Sequence, residues 1–232
     1  EQEGEGIVDV TTHSVDLIQW QCFPENIFDY KVDVQVHDAN RYPTKITLQQ
    51  FKESTGNTIF PNFLQKYVNN DTLNVYANGE INYSLKGVHC RVAVQWNYQA
   101  PEGSGDTHLS QIRGTRSIVS IKQGREQNFQ PSIYIEPGTA NGFTDADKKA
   151  IKAGFETIAS KYMGIALKNE GRGFVVEVPM NLLEGHEEHF SHVASKFLDY
   201  VRAGEMPDWE KSYMLTKYYT TTEALTKATT LR

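Results

Sequence analysis

The sequence has 232 residues, of which 39% are hydrophobic, and this length and composition allow one large domain with a sizeable core. The formal net charge is -6 at pH 7 without any long run of Lys or Arg, which argues against a nucleic-acid or polybasic membrane surface. No apolar run approaches the roughly 20 residues of a membrane span. We therefore expect a single domain, residues 1–232, whose partner is a small molecule or another protein.

The first predicted helix is "IVDVTTHSVDLIQW", residues 7–20. Asp9, His13, Asp16 and Trp20 fall within about 60° of one another on the helix wheel, and apolar residues occupy the other sides. Because Asp9 and His13 are spaced i, i+4, the carboxylate can hydrogen-bond one imidazole nitrogen and leave the other directed outward. The arrangement suits general acid/base chemistry, although ordinary surface helices also carry such pairs.

The middle of the chain carries strand patterns. The stretches "YKVDVQVHD" and "RYPTKITLQQF" alternate apolar and polar residues, and they predict two strands separated by a proline break. In "DTLNVYANGEINYSLKG" the pair Asn78-Gly79 lies between two alternating runs and predicts a hairpin. Further strands are predicted in "VHCRVAVQWNYQA", "LSQIRGTRSIVSIKQG" and "PSIYIEP". Together they predict a large, open, mostly antiparallel sheet of about six or more strands.

The last third of the chain changes to a helical period. "FTDADKKAIKAGFETIASKYMG" predicts a helix with Thr144 or Asp145 as N-cap and Gly164 as its stop. "IALKNEGRGFVVEVP" predicts a hairpin turning at Gly171 to Gly173. Two closing helices are predicted in "HEEHFSHVASKFLDYVRAG" and "EKSYMLTKYYTTTEALTKA". Strands followed by helices predict an α+β fold with the helices packed on one face of the sheet.

Polar residues outside the first helix are weaker candidates for a binding site. The glycine-rich loop "APEGSGDTH" ends in Asp106 and His108, which can offer polar groups to sugar hydroxyls. Arg91 lies on a predicted strand, and its guanidinium would suit an acidic sugar. We expect His189 to face the sheet or the pocket. It belongs to three helical histidines that spread over about 120°, too wide for one metal, so no metal site is predicted.

Three stretches resemble the C-terminal domain of the Gfo/Idh/MocA oxidoreductases, the glucose-fructose oxidoreductase and inositol dehydrogenase family. "GEGIVDVTTHSVDLIQW" is similar to the opening of that domain, a glycine-rich lead followed by Asp-x-x-x-His-x-x-Asp and an aromatic residue. "IRGTRSIVSIKQG" is similar to a later strand pair around a Gly-Thr turn, with Ser117 where a second glycine is usual. "GHEEHFSHVASKFLDYVRAGEMPDW" with "MLTKYYTTTEAL" resembles a subgroup with a distinctive C-terminal domain. The resemblance covers essentially the whole chain.

The resemblance implies the substrate-binding and oligomerisation domain of an NAD- or NADP-dependent oxidoreductase that acts on a sugar, polyol or related carbohydrate by hydride transfer. It implies an open antiparallel sheet with helices on one side and a homo-oligomer formed through the other side. The family's pocket residues map onto His13 as acid/base and onto Asp9 as its orienting partner or a hydroxyl ligand. The candidate substrate-binding residues are Trp20, Asp16, Asp106, His108, Arg91 and His189.

The chain departs from that family in its glycines. No G-x-G-x-x-G is present, because Gly103-Ser104-Gly105 is followed by His108 and Gly171-Arg172-Gly173 by Val176. We therefore expect the Rossmann domain and its Glu-Lys-Pro lysine to lie outside this chain, which alone binds no cofactor. The alternative is a non-catalytic carbohydrate-binding or dimer-assembly module that keeps the fold. The compartment stays open, cytoplasmic or exported.

Overall fold

The computed structural model describes residues 5–230 and has an α+β fold with open, mostly antiparallel sheets, as predicted. The chain divides into two compact units. The first consists of Glu1–Gln99 and Ala203–Arg232, and the second of Ala100–Arg202. Each unit contains its own sheet, whereas the sequence predicted one large sheet. The organisation as a single domain stays a prediction.

Over residues 5–230 the helices and strands follow one another along the chain. In order they are α1 (Val10–Cys22), α2 (Tyr30–Asp33), β1 (Val34–Thr47), α3 (Leu48–Thr55), β2 (Val68–Asn69), β3 (Thr72–Leu85), β4 (Val88–Val94), β5 (His108–Arg113), β6 (Ser117–Gln123), β7 (Ser132–Pro137), α4 (Asp145–Ala159), β8 (Ala166–Glu170), β9 (Gly173–Glu177), α5 (His186–Ala203) and α6 (Asp208–Thr230). Within this range no helix is both long enough and apolar enough to cross a membrane.

The sheet of the first unit is built around β3. Strand β1 pairs with one edge of β3, and β2 and β4 pair with the other edge, all antiparallel. The β3–β4 turn contains Lys86 and Gly87, whose φ angles of 48° and 78° are typical of a tight hairpin turn. The hairpin predicted at Asn78-Gly79 is therefore wrong, since β3 continues through both residues.

The side chain of Asn78 joins β3 to neighbouring segments of the chain, which explains why Asn78 does not form a turn. It is 2% exposed, and its side-chain amide donates to Tyr42 O at 3.1 Å and to Thr44 Oγ1 at 2.9 Å. Its Oδ1 accepts from Trp96 N at 2.7 Å. The β1–β3 register shifts between Tyr42 and Thr44, so the predicted proline break at Pro43 is a bulge within one strand.

Helices α1 and α6 cover one face of this sheet and enclose the main core. Val15 of α1 and Tyr213 of α6 are buried there with Ile81 and Tyr83 of β3. A second buried cluster lies at the far end of β1 and β3, where Ile46, Leu73, Phe51 and Phe60 meet. Residues 48–51, predicted as the end of a strand, belong to α3, because Thr47 and Gln50 make a capping box.

The second unit has five antiparallel strands among its described residues, in the order β5-β6-β7-β9-β8. The predicted helix α4 is confirmed, with Thr144 as N-cap in a capping box with Asp147, but it ends at Ala159, before the predicted stop at Gly164. The predicted β8–β9 hairpin is also confirmed, and Gly171 supplies a φ of +52° at its turn. In the described part of this unit Ser120 and Phe174 are the buried side chains, so its apolar residues are mostly half-exposed.

Candidate functional site

The segment before α1 crosses directly over β3. The backbone N–H of Gly6 donates to Tyr76 O at 2.9 Å. A Cβ on Gly6 would lie 2.5 Å from the carbonyl carbon of Asn78, and a Cβ on Gly79 would lie 2.6 Å from Ile7 Cγ1. Only residues without side chains allow this crossing. The start of α1 is therefore fixed on the sheet, although it lies near the beginning of the chain.

His13 lies in the first turn of α1 and is exposed. The helix begins at Val10, three residues later than predicted, because Asp9 has non-helical dihedrals. Asp9 is half-buried, and its backbone N–H donates to Glu5 O at 3.1 Å. The ring of His13 has its Nδ1 3.5 Å from Thr12 Oγ1. The structure thus presents the His13 imidazole to solvent at the fixed end of α1, one turn after Asp9.

Asp16 and Trp20 contact α6. Asp16 Oδ1 lies 3.5 Å from Lys217 Nζ, and Trp20 meets Trp209 edge-on with 6.2 Å between ring centroids. Both contacts lie within the first unit, Trp20 stays 51% exposed, and the substrate-binding roles of Asp16 and Trp20 stay predictions. The polar stripe predicted on α1 therefore has two halves. Asp16 and Trp20 contact α6, whereas Asp9 and His13 lie beside the segment that crosses β3.

Four residues beside that segment form a row that the sequence did not predict. The guanidinium of Arg41 lies 4.3 Å from the ring centre of Tyr76, whose ring is 6.5 Å from that of Tyr67. Lys66 Nζ lies 4.9 Å from the ring centre of Tyr67. We call Lys66, Tyr67, Tyr76 and Arg41 the cation–aromatic row. The available signal was the alternation of β1, which places Arg41 on the same face as buried Ala39.

Glu5 joins the row to α1. Its carboxylate lies 2.8 Å from Arg41 Nη2 and also accepts a hydrogen bond from Ile7 N at 3.2 Å. The side chains of Arg41 and Glu5 are only 21% and 12% exposed. The Nε atom of Arg41 is buried and has no hydrogen-bond partner among the described residues. Glu5 therefore neutralises the Arg41 charge, and the Nε–H donor of Arg41 has no acceptor among the described residues.

Arg91 lies on the other face of the sheet. Its neighbours Cys90 and Val92 are buried in the core under α1 and α6, so Arg91 points away from that side. It donates to both carboxylate oxygens of Glu80, at 2.7 and 2.9 Å. These bonds hold the pKa of Glu80 below its usual value. The structure does not bring Arg91 together with His13, and its role in substrate binding stays a prediction.

Asp106, His108 and His189 belong to the second unit. Asp106 and His108 are exposed at the end of the glycine-rich loop and the start of β5. His189 is 66% exposed, with its Nε2 3.7 Å from Glu184, so its predicted inward orientation is wrong. Glu184 also lies 3.2 Å from His192 Nε2, so one carboxylate contacts both rings. Across residues 5–230 no group of three or more His, Cys, Asp or Glu is placed to hold a metal ion.

The glycine-rich loops do not form a dinucleotide site. Residues 103–105 lead into β5, and Gly171 to Gly173 turn between β8 and β9. Pyrophosphate binding in a Rossmann unit needs a glycine loop that opens a helix, because the helix N-terminus binds the anion. These loops therefore do not fit a dinucleotide.

The fold and the site place the chain in the class of α+β domains with open sheets. Its sequence matches the model of the family described as "Putative oxidoreductase C terminal domain" over residues 1–229, and the chain belongs to that family. A similar structure is the crystal structure, at 2.23 Å resolution, of a protein from Parabacteroides merdae ATCC 43184 titled a "putative oxidoreductase". It is 48% identical, with a TM-score of 0.95 over 98% of this chain. The match covers 52% of that protein, so this chain spans about half its length. No match is found among curated proteins.

Proposed function

We propose that this chain is the substrate-binding and oligomerisation part of an NAD- or NADP-dependent oxidoreductase of the Gfo/Idh/MocA type, acting on a sugar, polyol or related carbohydrate. Membership of an oxidoreductase C-terminal family supports the proposal. The observation that carries it is the placement of His13, exposed in the first turn of a helix whose start is held on the sheet by Gly6 and Gly79.

The part of this chain in the reaction is proton transfer. His13 takes the proton from a substrate hydroxyl as the carbon is oxidised and returns it in the reverse direction. A positioned general base of this kind contributes about 10²- to 10⁴-fold to the rate. Asp9 orients the imidazole or binds a second hydroxyl. The nicotinamide cofactor belongs to a part of the enzyme outside this chain, since neither glycine-rich loop fits it.

The test of this role is His13→Ala in the longer protein that contains this chain. We expect kcat to fall by about 10²- to 10⁴-fold with cofactor affinity unchanged, because the substitution removes the base and not the nucleotide site. His186→Ala is the matched control, since His186 is exposed at the start of α5 in the second unit. Unchanged turnover of a verified substrate would remove His13 from the mechanism.

A calorimetric titration of NAD(H) and NADP(H) into this chain, and into the chain with its native N-terminal extension, separates this proposal from its alternative. Binding to the extended protein alone supports the enzyme. Binding to neither favours the non-catalytic carbohydrate-binding or assembly module. The contacts of Asp16 and Trp20 with α6 favour that second candidate, because they give half of the polar stripe a packing role. Under both hypotheses we propose a homo-oligomer formed through the open face of the sheet.

A further inference from the structure

We propose that Thr12 is a positioning residue for His13. Its hydroxyl, held by the backbone carbonyl of Asp9, selects the Nδ1–H tautomer of the imidazole and leaves Nε2 as the basic nitrogen. This inference rests on the proposed function, in which His13 accepts a proton from the substrate. Thr12 was not among the residues predicted from the sequence.

The first step concerns the single proton of the Thr12 hydroxyl. Thr12 Oγ1 lies 2.5 Å from Asp9 O and 3.5 Å from His13 Nδ1. A hydroxyl has one O–H donor and two acceptor lone pairs, whereas a carbonyl oxygen can only accept. Because Asp9 O is also the nearer partner, the Thr12 proton is donated to Asp9. Toward His13 the Thr12 oxygen can therefore only accept.

The second step is the consequence for the imidazole. A neutral histidine ring carries a proton on one nitrogen and a lone pair on the other, and the hydrogen bond made by one nitrogen decides which form is present. The Thr12 oxygen offers a lone pair to Nδ1, so the form with the proton on Nδ1 is favoured. Nε2 then keeps its lone pair. The ring of His13 is exposed, so this nitrogen is accessible to a substrate hydroxyl.

The third step is the fixed position of the carbonyl that holds Thr12. Asp9 O also accepts from Thr12 N at 3.0 Å, and Asp9 N donates to Glu5 O at 3.1 Å. The Glu5 carboxylate lies 2.8 Å from Arg41 Nη2 and accepts from Ile7 N at 3.2 Å. The side chains of Glu5 and Arg41 are only 12% and 21% exposed. A continuous series of contacts therefore runs from β1 to the imidazole and fixes a ring that solvent alone would leave to rotate.

The first experiment observes the tautomer directly. Nitrogen-15 NMR of the longer protein that contains this chain, labelled on histidine, distinguishes a protonated ring nitrogen from an unprotonated one. His13→Ala identifies the His13 signals. At a pH at which imidazole rings are neutral, we expect Nδ1–H to be the major form of His13 in the wild type. Thr12→Val keeps the shape of the side chain without its hydroxyl, so the ratio of Nδ1–H to Nε2–H should fall by about threefold to tenfold, the effect of one hydrogen bond.

The second experiment measures turnover of a verified substrate by the same variants. In Thr12→Val kcat should fall by about twofold to tenfold with KM nearly unchanged, because fewer rings present a basic Nε2 and the protonated ring loses a hydrogen bond. Thr12→Ser restores the hydroxyl and should recover both the tautomer ratio and kcat. Thr222→Val is the matched control, since Thr222 is exposed on α6 and its hydroxyl also donates to a carbonyl of its own helix, Tyr218 O, at 2.7 Å.

The outcomes separate this inference from the proposed function. A wild-type His13 that is mainly Nε2–H, or a ratio in Thr12→Val equal to that of the wild type, overturns the inference. Unchanged kcat in Thr12→Val, when His13→Ala has lost its activity, also overturns it. A shifted ratio with unchanged kcat in both Thr12→Val and His13→Ala supports the role of Thr12 in orienting the ring and removes the proposed proton transfer.

Discussion

Gly6 is the residue on which the placement of α1 depends most directly. A methyl group there would lie 2.5 to 2.7 Å from backbone atoms of Ala77 and Asn78, which cannot rotate aside as a side chain could. We expect Gly6→Ala to destabilise the first unit by about 1–3 kcal/mol, the usual cost of overpacking a closed site. Thermal unfolding followed by tryptophan fluorescence checks this, since Trp20, Trp96 and Trp209 all belong to the first unit.

The control for this prediction is a second glycine, at which replacement by alanine should stabilise the protein. Gly154 lies inside α4, and a Cβ there would have no atom within 4 Å. Because Ala is about 1 kcal/mol better than Gly inside a helix, Gly154→Ala should stabilise α4 in circular dichroism. If Gly6→Ala unfolds at the same temperature as the wild type, the segment before α1 does not pack against β3 closely enough to exclude a methyl group.

Helix α4 offers a test at the scale of one element. Thr144 Oγ1 accepts from Asp147 N at 3.1 Å, and Asp147 Oδ2 accepts from Thr144 Oγ1 at 2.7 Å. Thr144→Ala removes the cap and should cost the helix about 1 kcal/mol, seen as earlier unfolding of the second unit. Thr157→Ala is the control, because Thr157 lies in the same helix and only contacts Ala153 O at 3.5 Å.

The same cap has a defined pH dependence. The hydrogen bond from Thr144 lowers the pKa of Asp147 below its usual value of 3.8, with further help from the Thr144 backbone and Arg116. A lowered pKa in the folded state contributes stability above the usual carboxyl pKa, and this contribution is lost as the pH falls through the lowered value. The difference in unfolding free energy between the wild type and Thr144→Ala should therefore become smaller as the pH is lowered into the acid range. A difference that stays constant into strong acid would contradict this account.

Elements whose signals are local were predictable from the sequence, and elements decided by distant contacts were not. The cap of α4 and the β8–β9 hairpin are specified by a few neighbouring residues and are confirmed. The Asn78-Gly79 pair has the local signature of a turn. It lies within β3 because Asn78 binds β1 and the segment after β4, and because Ile7 covers Gly79.

The residues of the candidate site divide in the same way, into those indicated by local spacing and those brought together by distant contacts. Spacing on one helix singled out Asp9 and His13, and the structure places both at the fixed end of α1. The ion pair between Arg41 and Glu5 joins residues 36 positions apart, so only the folded chain brings them together. Likewise, Trp20 contacts Trp209 of α6, a helix that begins only at Asp208, and its predicted contact with a ligand stays a prediction.

At the scale of the whole molecule, the two units differ in how completely they bury their apolar groups. The first unit encloses two clusters of buried side chains. In the second unit, four apolar side chains of α5 are 59 to 68% exposed, namely Phe190, Val193, Phe197 and Val201. Since buried apolar area is the main source of stability, we expect the second unit to open at lower denaturant concentration than the first.

Amide hydrogen exchange with mass spectrometry measures this difference directly. Peptides from β5 to β9 should exchange through lower-energy openings than peptides from β1 and β3, because opening the second unit exposes less previously buried apolar surface. Cys90 gives an independent reading of the first unit, since burial raises the pKa of its thiol to about 11 and the thiolate is the reactive form. Cys22 is exposed and should be alkylated first, whereas Cys90 should react only when the first unit opens. Equal protection of β1 and β7 would show that the first unit is no more stable than the second. Alkylation of Cys90 as fast as that of Cys22 would show that the core of the first unit opens readily.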